Sequence, residues 1–353
     1  MADDAVVRPV RIGAVLPPRE TFGLRKSGAV ALCVRDSQRY SRFADSIDIL
    51  GAGVCDYPDV RYRRLTGWRR WWRRDRDAYA SAIVETGADY GMLEIHNRPY
   101  LVAAIRRDLS DTKLTLHLHN DPQTMDASRS PGERQRLVES CDAIYCVSDF
   151  IRRRFLEGVE DAASKTLTIL NGVPLPASVP AKAKVIAFTG RVLPIKGVVE
   201  LVRAFEAADL PGWRLAIAGD DPEGLLAGMG DVRVDRLGQI PHDEAIALLG
   251  RAEIAAVPSM WDDPCPRAAV EALAQGCALV ASRRGGLPEI AGDAALFVDP
   301  SDTAAFAATL RQLASDEFFR KDMQTRGRAQ AAEKLEIGFG TARLDAVRGR
   351  LLA

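Results

Sequence analysis

The sequence predicts an α/β chain made of two doubly wound parallel-sheet domains that face a central cleft. Three observations carry this expectation. Short apolar runs alternate with longer segments of helical spacing, such as Val198, Val199, Val202 and Phe205, and strands alternating with helices give parallel sheets covered on both faces. The order of elements starts afresh near residue 185. The 353 residues also exceed one ordinary core, since domains run to roughly 100–200 residues.

Taken in order, the strand candidates of the first half are Val10–Leu16, Gly91–Ile95, Lys113–Leu118, Ala143–Val147 and Thr166–Leu170. Those of the second half are Val185–Thr189, Arg214–Ala218, Val232–Leu237, Ile254–Val257, Ala278–Ala281 and Ala295–Val298. Between the halves, Asn171-Gly172-Val173-Pro174-Leu175-Pro176 runs into Ala177–Lys184, which is short of large apolar side chains. Proline and glycine punctuation of this kind marks a linker. The expected domains are therefore residues 1–172 and 173–335. Sheets of this type bind ligands beyond the carboxyl ends of their strands, which here means in the cleft.

Composition excludes several classes. Hydrophobic residues make up 47% and charged residues 27%, which rules out wholesale disorder and collagen-like repeats. No run approaches the roughly 18 apolar residues of a membrane span. Met1-Ala2-Asp3-Asp4 lacks the basic start and apolar stretch of a signal peptide, so a cytoplasmic protein is expected. Six cysteines without a C-x-x-C pair read as buried reduced thiols. His117-x-His119 could chelate a metal from a loop, but no nearby cysteine or second histidine cluster completes a set. No metal or other cofactor is expected.

Two motifs point to chemistry. Gly190-Arg191-x4-Lys196-Gly197 follows a strand and opens a helix. Such a turn offers free backbone N–H groups and a positive helix end, while arginine and lysine grip phosphate oxygens. The second motif runs from Trp261 through Asp262-Asp263-Pro264-Cys265-Pro266-Arg267 to Glu271, with Gly276 closing the helix. Asp263 and Glu271 stand eight apart. An acid inside a helix rich in alanine and valine, expected to be buried, needs a polar partner, and ribose hydroxyls are one such partner in nucleotide-binding sheets.

These residues, with Gly285-Gly286-Leu287-Pro288-Glu289, Pro258-Ser259 and Asn171-Gly172-Val173, make the stretch 171–298 resemble retaining glycosyltransferases of family 4, also called group 1. The first half is similar more loosely, through Cys141–Ser148 and His117-Leu118-His119-Asn120-Asp121-Pro122. The resemblance implies the GT-B fold and a final helix, residues 336–353, crossing back onto the first domain. It also implies a nucleotide-sugar donor whose diphosphate meets Arg191 and Lys196. Glu271 would hold the ribose, Asp263 would face hydroxyls of the transferred sugar, and Gly190, Gly285 and Gly286 would line the donor site. Gly28, in the loop after the first strand, would let backbone N–H groups approach phosphate. His119, with His117 as second choice, would lie near the sugar. The family usually carries glutamate where this chain has Asp263, one methylene shorter, which leaves the donor sugar open.

The acceptor implied is a saccharide or lipid-linked saccharide, in assembly of a cell-envelope glycan such as lipopolysaccharide, capsule or exopolysaccharide. The alternatives are a non-catalytic glycan-binding or scaffold protein of this fold, or an epimerase or phosphorylase. Asp75-Arg76-Asp77 has the form of a metal-holding D-x-D but falls in a helical pattern, where chance explains it. Residues 61–76 carry eight arginines and three of the five tryptophans. Trp68, Trp71, Trp72 and Tyr79 share a helix face beside Arg69, Arg70, Arg73, Arg74 and Arg76. This arrangement suits an anionic membrane surface on the inner face of the cell membrane, or tryptophans packed on the first sheet. The rest of the chain gives no support for a nucleic-acid partner.

Overall fold

The structure, a computed structural model, describes residues 11–66, 75–229 and 232–353. Its first sheet contains β1 (Ile12–Val15), β2 (Ile47–Gly51), β3 (Tyr62–Arg64), β4 (Met92–His96), β5 (Lys113–Leu118), β6 (Ala143–Cys146) and β7 (Thr166–Thr168). They lie in the order β3-β2-β1-β4-β5-β6-β7, every neighbouring pair parallel. The helices among them are α1 (Ala29–Arg39), α2 (Asp75–Gly87), α3 (Tyr100–Asp108), α4 (Pro131–Ser140) and α5 (Asp149–Leu156).

The second sheet contains β8 (Ala183–Thr189), β9 (Arg214–Ala218), β10 (Val234–Gly238), β11 (Ala252–Val257), β12 (Ala278–Ser282) and β13 (Ala295–Val298), in the order β10-β9-β8-β11-β12-β13. Its helices are α6 (Val198–Ala208), α7 (His242–Arg251), α8 (Arg267–Ala274), α9 (Leu287–Ala291), α10 (Thr303–Ser315) and α11 (Glu317–Gln330). The last helix, α12 (Ile337–Leu352), follows them. In both sheets the strand order reverses beside a central strand, which opens a crevice at the carboxyl ends. The two crevices face each other.

The predicted strands are present with small shifts of their ends, and two strands escaped the sequence reading. β2 reads Ile-Asp-Ile-Leu-Gly and is wholly buried. Asp48 interrupts its apolar run, yet in the fold this acid takes hydrogen bonds from Arg11, Arg61 (2.9 Å) and Tyr90 (2.9 Å). β3 is three residues of an arginine-rich edge. Partners far apart in sequence make both possible.

Two chain crossings join the domains, and they run side by side. Val173 N–H donates to Leu335 O at 2.9 Å, and Ile337 N–H donates to Val173 O at 3.1 Å. Beyond that point α12 lies on the first sheet, with Leu344 and Val347 against Ala143 and Tyr145. Its Arg348 forms a two-point fork to buried Glu94, both bonds 2.8 Å, and reaches Asp345 at 2.9 Å. A guanidinium between two carboxylates satisfies charges that would otherwise be costly to bury.

The segment Trp68–Arg74 lies outside the described residues, so the proposed basic aromatic face does too. Of its neighbours, Tyr79 faces the core, while Arg63 and Arg76 form ion pairs at the surface. Tyr79 is buried and its hydroxyl donates to Leu16 O at 2.7 Å. Arg76 pairs with Asp126 and lies over the Tyr100 ring, and Arg63 pairs with Asp89 at 2.8 Å.

Candidate active site

The residues singled out in the second half gather where β8, β11 and β12 end. Lys196 sits in the turn after β8, and Asp263 in the loop after β11. Lys196 Nζ donates to Asp263 Oδ2 at 2.5 Å, and Asp263 is buried while the lysine remains a quarter exposed. The ammonium also lies 5.4 Å from the centre of the Trp261 ring. Gly197 turns the chain into α6 at φ 68°, and a Cβ there would stand 1.9 Å from Pro258 O. Glycine is required on both counts.

Arg191 is exposed at the cleft and has no hydrogen bond or ion pair among the described residues. Gly285 and Gly286 pack directly on the acidic loop. Gly285 has φ 57° with Asp263 O 2.2 Å from the position of a Cβ, and Gly286 N–H donates to Asp263 O at 2.8 Å. The tight double-glycine turn thus fixes the backbone that carries Asp263.

Glu271 lies inside α8 and is buried. Its Oε1 accepts from His242 Nε2 at 2.7 Å and from Arg267 Nε at 2.6 Å. Burial pushes its carboxyl up, but the Arg267 guanidinium and the His242 contact prevail and hold it below the usual range. Arg267, to which the sequence reading gave no role, also donates to Asp36 Oδ2 of α1 at 2.6 Å. No local signal reveals this bond, because 231 residues separate its partners.

The first domain closes the cleft. Glu289, at the head of α9, accepts from Asp149 N–H at the start of α5, at 2.8 Å to each oxygen. Lys26 Nζ reaches Asp220 Oδ2 at 3.4 Å. Gly28 caps the start of α1, and its own N–H donates to Thr21 O at 2.9 Å. A Cβ on Gly28 would lie 1.8 Å from Glu20 Oε1, so the glycine makes room for a carboxylate of its own chain. Glu20 accepts from Ala31 N–H at 3.3 Å. Burial raises its pKa against the pull of that N–H and of the Arg98 and Arg191 guanidiniums.

His119 follows β5, and its Nε2 lies 3.1 Å from His96 Nδ1. Burial pushes His119 down to about 4, so the ring is neutral near pH 7. His117 is buried one layer deeper, with Nε2 3.3 Å from Thr115 Oγ1 and its ring 4.3 Å from that of His96. The register pairing His96 with His117 creates this histidine cluster, which spacing along the chain did not disclose. It borders a cavity of about 60 Å³ shared with Cys33, Tyr145, Asn171 and Thr341. Glu94, His96 and His117 bring ligand atoms within 4.8 Å of one another, a set that could hold a metal ion. Arg348 already occupies both Glu94 oxygens, so a cation there would have to share its only carboxylate with a guanidinium. The residues fit an internal salt bridge better than a metal.

Two facing parallel-sheet domains, with the cationic and acidic groups at their carboxyl ends, define the GT-B architecture. The solved structure of Anabaena Alr3699/HepE in complex with UDP and glucose has the same fold. It superposes with a TM-score of 0.78 at 17% identity, covering 97% of this chain and 100% of that one. The family described as "Glycosyl transferases group 1" matches residues 176–330. A D-inositol 3-phosphate glycosyltransferase of Corynebacterium diphtheriae is 31% identical over 75% of this chain and 75% of its own. The putative glycosyltransferase YtcC of Bacillus subtilis is 23% identical over 91% of this chain and 88% of its own. The chain belongs to the group 1 glycosyltransferases.

Proposed function

We propose that the protein is a retaining glycosyltransferase that moves a sugar from a UDP- or GDP-type nucleotide diphosphate donor to a saccharide or lipid-linked saccharide. The observation that carries this reading is the convergence of Arg191, the Lys196–Asp263 pair and Glu271 at the carboxyl ends of the second sheet. Cleaving the bond from the anomeric carbon to the diphosphate oxygen builds positive charge on the sugar and negative charge on the leaving group. Arg191 and Lys196 meet the departing charge, and pre-placed charges of this kind do not have to reorganise during reaction. Glu271 Oε2 accepts from the ribose, and Asp263 orients both Lys196 and the sugar. The acceptor hydroxyl attacks the face that the diphosphate leaves, and the diphosphate helps to take its proton. His119, neutral, offers its ring to the sugar from the first domain.

The test is calorimetry with UDP, GDP and ADP, followed by turnover of the matching nucleotide-sugars. One nucleotide is expected to bind wild type and to lose affinity in Glu271→Ala. Lys196→Ala is expected to lower kcat by about 3–4 kcal/mol of barrier. Proton NMR of the anomeric centre in the product reads retention directly, and an inverted product would refute the stereochemical assignment. Absence of binding at millimolar nucleotide would remove the donor site altogether.

A further inference from the structure

The guanidinium of Arg267 is buried between two carboxylates that belong to different domains. Its Nη2 donates to Asp36 Oδ2 on α1 at 2.6 Å, and its Nε donates to Glu271 Oε1 on α8 at 2.6 Å. The remaining nitrogen, Nη1, faces Cys33 Sγ at 3.9 Å. Glu271 Oε1 also accepts from His242, whereas its Oε2 has no hydrogen bond among the described residues.

We propose that Asp36 is a positioning residue for nucleotide binding, acting through Arg267 to keep Glu271 Oε2 open for the donor's ribose hydroxyls. The inference rests on the reading of Glu271 as the ribose-binding acid. An arginine facing a single carboxylate favours a two-point fork that engages both oxygens, as Arg348 does with Glu94. Arg267 makes only one bond to Glu271 because Asp36 takes Nη2, the second donor of the Nε–Nη2 edge that Arg348 turns to Glu94. Two carboxylates also share one guanidinium charge, so Glu271 keeps acceptor strength that a closed fork would absorb. Without Asp36, Nη2 of the buried guanidinium would lack its acceptor and counter-charge, and Glu271 Oε2, beside the Oε1 that Nε already holds, is the oxygen it can turn to. Because Asp36 lies on α1 and Glu271 on α8, the arrangement exists only while the first domain rests against the second. The acid of one domain therefore prepares the nucleotide site of the other.

The experiment is a double-mutant cycle read by calorimetry with whichever of UDP, GDP and ADP binds the wild-type protein most tightly. Asp36→Asn is expected to weaken that nucleotide about tenfold alone, a coupling within the usual range for groups in one network. In a Glu271→Gln background, the same change is expected to cost less than about twofold. Asp36→Glu is expected to restore most of the loss, and Asp36→Ser serves as a second removal variant if Asp36→Asn melts near the assay temperature. Equal weakening in both backgrounds, or unchanged affinity in a folded Asp36 variant, would overturn the positioning role and leave the ribose reading standing. A wild type that binds none of the three, or a Glu271→Gln variant that binds like wild type, would remove the ribose reading and this inference with it.

Discussion

Single residues in this protein owe their character to partners far away in the chain. Burial alone would raise the Glu94 carboxyl, but Arg348 overrides it and holds the pKa below its ordinary value of 4.5. A carboxyl depressed in the folded state adds stability above its unfolded pKa, and loses it as pH falls through the folded value. The acid limb of the stability curve below pH 4.5 should therefore flatten in Glu94→Gln, as measured by urea melts across pH. Arg348→Met should cost about 3–5 kcal/mol, because it strands a buried charge. The histidines work on a different window. His119 is lowered to about 4, and His96 and His117 lie well below 6.5, all chiefly through burial. The unfolded chain binds more protons between those values, so stability falls as pH drops from 6.5 toward 4. In an NMR titration, the His119 ring signal should stay at its neutral position down to about pH 5. A midpoint near 6.5 would contradict its placement. None of these partners was legible in the sequence, where Glu94, Arg348 and His96 look like ordinary polar residues. Arg267 was hidden in the same way.

At the scale of elements, the sequence was far more readable. Apart from the exposed edge strand β10, the second sheet is built of short apolar runs, and β12 is wholly buried, so period and length announced most of it. The first sheet hid β2 because Asp48 breaks its run, and β3 because arginine on a short edge looks like loop. The turns that build the candidate site were visible for a physical reason. Gly197 must adopt φ 68° and leave room for Pro258 O, so its identity is fixed by geometry that no other residue supplies. Gly197→Ala should lower stability by at least about 2 kcal/mol, from the left-handed backbone and the clash together. Because the same turn carries Lys196, nucleotide affinity should fall with it. Thermal melting and calorimetry on one preparation would check both. A variant with wild-type melting would show that the turn before α6 relaxes freely.

For the whole molecule, the two crossings at Val173 and Leu335–Ile337 are hydrogen-bonded side by side, so they form one seam and not two separate tethers. Among the described residues, no helix is long and apolar enough to cross a membrane. Removing residues 337–352 would uncover Ala143 and Tyr145 and leave Glu94 without Arg348. Such a truncation should melt the first domain before the second. Hydrogen exchange would show early loss of protection in β4–β6 while β8, β11 and β12 stay protected.

The same helix has a consequence for synthesis. Domains generally fold as units while the chain emerges from the ribosome. Here β1–β7 leave the ribosome first, but the helix that covers their sheet is translated only after all of β8–β13. The second domain can therefore complete itself while the first still waits with Glu94 unpaired and Ala143 and Tyr145 uncovered. The half of the protein made first is the half finished last, and during that interval it is the one a chaperone would have to shield.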